Sequence, residues 1–188
     1  MSFKILGIKV KIHFLFTAVV SLLLAIDRYS VVPYSLLSVA IHETGHLAAM
    51  LILKEKPQQI YLCPCGVIID NATGVYGSIK TIIIAAGGPL FNLLPALFLK
   101  SSVFKTAMLV NGLFNLLPIA CTDGGDITDC LLQRVKTEST KTVLKIVINA
   151  FFITITAVVG GVLFFKSYNP TLIVASVYMF VMLISGLK

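Results

Sequence analysis

Apolar and polar positions alternate along this chain in long blocks, not with the short period of a soluble helix or strand. Six hydrophobic runs, 12–26, 34–53, 79–99, 103–120, 143–165 and 172–187, approach or exceed the roughly 17 residues that a helix needs to cross a bilayer. Between the second and third lies residues 60–70, IYLCPCGVIID, rich in strand formers and broken by Pro64 and Gly66, which predicts one or two short strands. The expectation is an all-α membrane protein, a polytopic bundle of about six transmembrane helices with a short β-strand segment between the second and third, forming a single domain over 1–188.

Composition strengthens this picture. Hydrophobic residues make up 57% of the chain, charged residues 12%, and the mean hydropathy is +0.98. An ordinary soluble domain carries about 25% charged residues. The net charge of +7 does not imply a nucleic-acid partner, because the basic residues are scattered between apolar runs instead of forming one stripe. They read as topology signals. With the N-terminus inside, eleven of the fifteen (Lys4, Lys9, Lys11, Lys54, Lys56, Lys80, Arg134, Lys136, Lys141, Lys145 and Lys188) fall in the cytoplasm, which predicts both termini there. A basic start before FLFTAVVSLLLAI also suits a signal peptide, but no clear small-x-small cleavage site follows it, so an uncleaved first span is expected. In this topology Cys63, Cys65, Cys121 and Cys130 lie inside, where thiols stay reduced. One C-x-C pair is a weak metal signal.

The candidate chemistry sits within the second run. LLSVAIHETGHLAAMLIL puts two histidines and a glutamate where ionisable side chains are expensive, about 2.5 to 3.5 kcal/mol at a helix centre on insertion scales. His42 and His46, four apart, stack on one helix face and can reach a single metal ion. Glu43 lies about one hundred degrees round the helix, near such an ion without being forced to ligate it. This is the H-E-x-x-H pattern of two zinc ligands and a general base. Downstream, Ala85-Ala86-Gly87-Gly88-Pro89 serves tight helix packing or a released backbone group, and Asn92 is an apolar-run amide that needs partners. Asn115 sits deep in the fourth run. Asp123 arrives as that run stops and could complete a His, His, Asp site, while Asp126 and Asp129 read as a solvated acidic turn. His13, beside Lys11, reads as an interfacial residue.

HETGH at 42–46, GGPLFN at 87–92 and NLLPIACTDGG at 115–125, in that order on successive runs, resemble the site-2 protease family of intramembrane zinc metalloproteases. KIHFLF and IYLCPCG make the chain most similar to the sporulation sigma-factor-processing branch. The resemblance implies zinc held by His42, His46 and Asp123, Glu43 as base, and Asn92 and Asn115 near the site as substrate-positioning residues. It also implies that the strand near Ile60 receives an extended substrate. Ala120-Cys121-Thr122 before the glycines and Asp126 after them depart from the family pattern. Neither a PDZ nor a nucleotide-sensing domain is expected. The implied function is regulated intramembrane proteolysis of a membrane-associated protein near the cytoplasmic face, in the bacterial cytoplasmic membrane, with a sporulation pro-sigma factor as one substrate and membrane-protein regulators as further partners. Two rival classes remain: a membrane zinc-binding or transport protein without proteolytic activity, and an inactive scaffold.

Overall fold

The computed structural model describes residues 2–5, 8–63, 66–71, 78–120, 122–167 and 171–186. Two compact units divide the chain, residues 1–113 and 114–188.

The first unit begins with strands β1 (Ser2–Ile5) and β2 (Ile8–Ile12), followed by helices α1 (Phe14–Ile26) and α2 (Val31–Ile52). Strands β3 (Pro57–Cys63) and β4 (Gly66–Asn71) come next, then α3 (Ser78–Phe98) and α4 (Val103–Asn115). One sheet holds all four strands in the order β1-β2-β3-β4. The β1–β2 and β3–β4 pairs are antiparallel, and β2 runs parallel to β3 with Val10 opposite Ile60. Parallel neighbours need a crossover in place of a hairpin. Here the crossover is the helix pair itself: the chain leaves the sheet at Ile12, runs out along α1 and returns along α2 into β3. Lys9, Lys11, Lys54 and Lys56 therefore gather at the same end of both helices.

The helix ends explain where the turns fall. His13 is the N-cap of α1; its Nδ1 accepts from the Leu15 N–H at 3.2 Å, and its own N–H donates to the Leu62 carbonyl at 2.9 Å. One residue thus closes the strand ladder and starts the helix, a role that position at the membrane boundary did not reveal. Ahead of α2, the Asp27 carboxylate accepts from the N–H groups of Tyr29 at 3.3 Å and of Val31 and Val32 at 3.2 Å, filling part of the demand that any helix start leaves. At the other end Lys54 takes a left-handed conformation (φ 57), with Glu55 N–H on Met50 O at 2.9 Å and Lys54 N–H on Leu51 O at 3.1 Å. That is a Schellman stop.

Helices α2 and α3 meet backbone to backbone. A Cβ added at Gly45 would lie 2.8 Å from the Gly87 carbonyl carbon and 2.9 Å from the Phe91 Cβ, and one added at Gly87 would lie 2.7 Å from the Gly45 oxygen. Only glycine at both positions allows this crossing. Helix α4 is tied to α2 by polar groups, with Asn111 Nδ2 donating to Ser38 Oγ at 3.4 Å and Ser38 Oγ donating to the Ala107 carbonyl at 3.3 Å.

The second unit contains α5 (Asp123–Leu132), α6 (Glu138–Ser167) and α7 (Thr171–Gly186). Ile119, Ile153, Met179 and Leu183 form its buried core, flanked by Phe114, Leu117, Phe152 and Ala175.

A helix answers each of the six hydrophobic runs, yet among the described residues only three, Val31–Ile52, Ile79–Phe98 and Glu138–Lys166, are long and apolar enough to cross a membrane. Three of the expected six or so spans thus qualify by length and composition, and the other runs yield shorter helices because hydropathy does not see helix ends. Ile12 belongs to β2, α1 starts only after its cap, and α4 stops at Asn115, before Pro118. A third or less of each qualifying window is buried, leaving the apolar surface that contact with lipid hydrocarbon requires. The three helices and the fold together describe an integral membrane protein. Strands lie between the second and third runs as expected, but β1 and β2 had been read as a basic flank. The strand through Ile60, β3, is paired on both sides, so among the described residues the sheet edges are β1 and β4. Asp126 and Asp129 lie in helix α5, not in an acidic turn, since Thr122 caps a helix there. Cys65 and Cys121 lie outside the described residues.

Glycine at 45 should be required and glycine at 161 should not. A Cβ at Gly161 would meet nothing within 4 Å, so Gly161→Ala is expected to stabilise by about 0.5–1 kcal/mol, whereas Gly45→Ala overpacks a backbone contact and should destabilise by about 1–3 kcal/mol. Thermal unfolding midpoints in detergent that move in the same direction for both would contradict this crossing.

Candidate metal centre

Helix α2 carries His42 and His46 on its buried face, exposed by only 4% and 9%. Their Nε2 atoms lie 3.1 Å apart, with the rings edge to face at 81°. Two ligands at Zn–N distances of about 2.0–2.1 Å and a tetrahedral angle would be about 3.3 Å apart, so the spacing of the two nitrogens suits one ion. The ring of His46 has a fixed sense. Its Nδ1 lies 2.8 Å from the Ile84 carbonyl oxygen, which can only accept, so the hydrogen is on Nδ1 and the Nε2 lone pair faces the other imidazole.

The space between the rings is guarded by Gly88. A Cβ there would fall 2.6 Å from His46 Cε1 and 2.7 Å from His42 Nε2, with His46 Nε2 closer still. The two adjacent glycines of α3 thus divide the labour: Gly87 lets the helices touch, and Gly88 leaves the hollow where the two imidazole nitrogens meet. The tight-packing reading of this patch holds for the first, and the second serves the site. Asn92, one turn further along α3, is wholly buried, with its amide 3.4 Å from His42 Nδ1.

Asp123 is the first residue of α5, where the positive end of the helix favours a carboxylate. Thr122 holds that terminus: its Oγ1 accepts from the Gly125 N–H at 3.2 Å and donates back to the turn at Leu117 O, 2.5 Å, and Ile119 O, 2.8 Å. A Cβ at Gly124 would run into the carbonyls of Leu116 and Leu117, and one at Gly125 would run into that of Ile119. The two glycines after Asp123 are therefore set by close backbone approach. Asn149 on α6 locks the same turn, accepting from the Ala120 N–H at 2.6 Å and donating to Lys145 O at 2.8 Å.

Among the described residues, His42, His46 and Asp123 form a group able to hold a metal ion, one ligand atom from each lying within 4.8 Å of the others. Two imidazoles and a carboxylate are a donor set that zinc accepts in catalytic sites. Glu43 follows His42 on α2 and is half-buried, and Asn115 is the final residue of α4, also half-buried. Asp126 is exposed, and Asp129 pairs with Lys145 at 2.6 Å. The motifs had not singled out Ile84, Gly88's contact with the imidazoles, Thr122 or Asn149. Thr122 alone had a readable signal, a capping residue just before Asp-Gly-Gly.

No protein-family model matches the chain, and no curated protein does. A solved structure does match. The fold is similar to that of the site-2 protease from Methanocaldococcus jannaschii. The two superpose with a TM-score of 0.61 at 24% identity, over 96% of this chain and 92% of that one. At this identity the likeness concerns the fold.

Gly88→Ala should disturb the centre without disturbing the helix crossing. Its methyl group falls on the imidazole nitrogens, so zinc binding by the purified chain should weaken by about tenfold or more, while the unfolding midpoint changes little. Equal zinc affinity in this variant would show that the ion does not bind between the rings.

Proposed function

We propose that this chain is an intramembrane zinc endopeptidase that cuts a membrane-associated protein near the cytoplasmic face of the bilayer. The observation that carries the reading is the grouping of two buried imidazoles and a carboxylate, on a chain similar in fold to a site-2 protease. His42, His46 and Asp123 would hold the zinc. When bound, zinc supplies Lewis acidity to activate water and polarise a peptide carbonyl. Glu43 takes the proton of the attacking water and returns it to the leaving amine, a role that requires a carboxylate beside the ion but not on it. Asn115 positions the substrate near the scissile bond.

An extended segment of the substrate adds to β4, an edge strand among the described residues, where main-chain hydrogen bonds give affinity without demanding a sequence. Such addition also unwinds a substrate helix, whose internally bonded peptides are otherwise closed to attack. The substrate class is a membrane-tethered or membrane-inserted protein, of which a sporulation pro-sigma factor is one example. Membrane-protein regulators would govern access. Both termini lie in the cytoplasm of a bacterial cell, with the chain in the cytoplasmic membrane.

Two substitutions test the roles. Glu43→Gln should keep zinc near one equivalent and lower cleavage of a co-reconstituted substrate by about 10²–10⁴-fold. Asp123→Asn should lose zinc on dialysis against a chelator, read by elemental analysis. Comparative proteomics of membrane fractions from cells carrying the native chain or Glu43→Gln should reveal an accumulating precursor. Full cleavage by Glu43→Gln removes it as the base. Zinc flux into proteoliposomes with no proteolysis would favour a transporter.

A further inference from the structure

We infer that Asn92 is a positioning residue for the metal centre: its amide oxygen accepts a hydrogen bond from Nδ1 of His42 and so holds that imidazole with Nε2 toward the ion. This rests on the zinc reading above and adds to it the group that orients the first ligand. An imidazole that ligates through Nε2 carries its hydrogen on Nδ1, and a buried N–H requires an acceptor. For His46 the acceptor is the Ile84 carbonyl, at 2.8 Å. For His42 the Asn92 amide lies 3.4 Å from Nδ1.

Which end of the amide faces the ring follows from counting hydrogens. An asparagine amide has a donor end and an acceptor end of nearly the same shape. With Nδ2 turned to the ring, Nδ1 would have to accept, the hydrogen would move to Nε2, and ligation through that atom would be blocked. The same orientation leaves Oδ1 buried with no hydrogen-bond partner among the described residues. A half-turn about the last side-chain bond puts Oδ1 on the Nδ1–H, the arrangement that metal ligation demands. Asn92 is well placed to keep it. The side chain is 0% exposed, and Gly112 of α4 packs behind it, where a Cβ would come within 3.2 Å of the Asn92 Cβ and 2.8 Å of Leu93 Cγ.

The test compares the full-length chain in detergent with Asn92→Asp and Asn92→Leu, measuring zinc affinity by competition with a chromogenic chelator. Aspartate keeps an acceptor at the same distance, and leucine keeps the volume without one. The expected result is a loss of about 10–100-fold for leucine, the usual effect of removing an outer partner of a metal-bound histidine, with most of the affinity retained by aspartate. A packing role gives the opposite order, because leucine suits an apolar surrounding and a buried carboxylate does not. Cobalt substitution supplies a second readout: the visible ligand-field spectrum should shift in the leucine variant and stay close to the native one in the aspartate variant. Affinity unchanged in Asn92→Leu, or lost equally in both, overturns the inference while zinc binding by the native chain still stands. A native chain that binds no zinc instead overturns the zinc reading itself.

Discussion

Direct contact between the backbones of α2 and α3, at Gly45 and Gly87, is the constraint that the candidate centre depends on. Side chains normally hold helix axes 8–10 Å apart, and glycine at both contact positions removes that spacer. Removing both Cβ atoms lets the helices close, which brings the Ile84 carbonyl to 2.8 Å from His46 Nδ1 and the Asn92 amide to 3.4 Å from His42 Nδ1. In lipid there is no hydrophobic gain from pressing two apolar helices together, so van der Waals contact and hydrogen bonds must do it. The glycines provide the first, and Ile84 and Asn92 on the same helix provide the second. Steric permission and polar satisfaction therefore come from one stretch, and the histidines can be buried because the crossing is tight.

The second unit solves a matching problem at the start of α5. A carboxylate in an apolar setting is costly unless something favours its charge. Asp123 sits at a helix N-terminus, and that terminus is fixed by Thr122 and by two glycines pressed against the carbonyls of residues 116–119. Asn149 holds the preceding turn from α6. The Asp-Gly-Gly order thus reflects local packing as well as chemistry: the aspartate can stand at the first helical position only if the next two residues carry no side chain.

Much of this was legible in the chain and some was not, for physical reasons. His42 and His46 could be placed on one face from spacing alone, since four residues is close to a helical turn. The strands around Ile60 announced themselves through β-branched residues and a Pro-Gly interruption. IKVKI in β2 alternates like a strand as well, but its lysines also suit a membrane flank, and a short segment cannot separate the two. Helix ends were the weakest point. Hydropathy measures how apolar a run is and not where its backbone bonds stop, so Ile12 and residues 116–120 were counted as span when one is strand and the others are turn. Tertiary partners such as Ile84 and Asn149 had no signal, because a backbone carbonyl looks the same in every residue and a lone asparagine carries no pattern.

The parallel register of β2 against β3 carries a consequence for how the protein is made. Val10 pairs with Ile60 across two intervening helices. During translation β1 and β2 emerge first, and the second edge of β2 stays open until residues 57–63 have been made. The finished sheet is therefore a late product that forms only after the helix bearing the histidines has been made. Only a chain in which α2 runs back to the end where α1 began can bring β3 alongside β2.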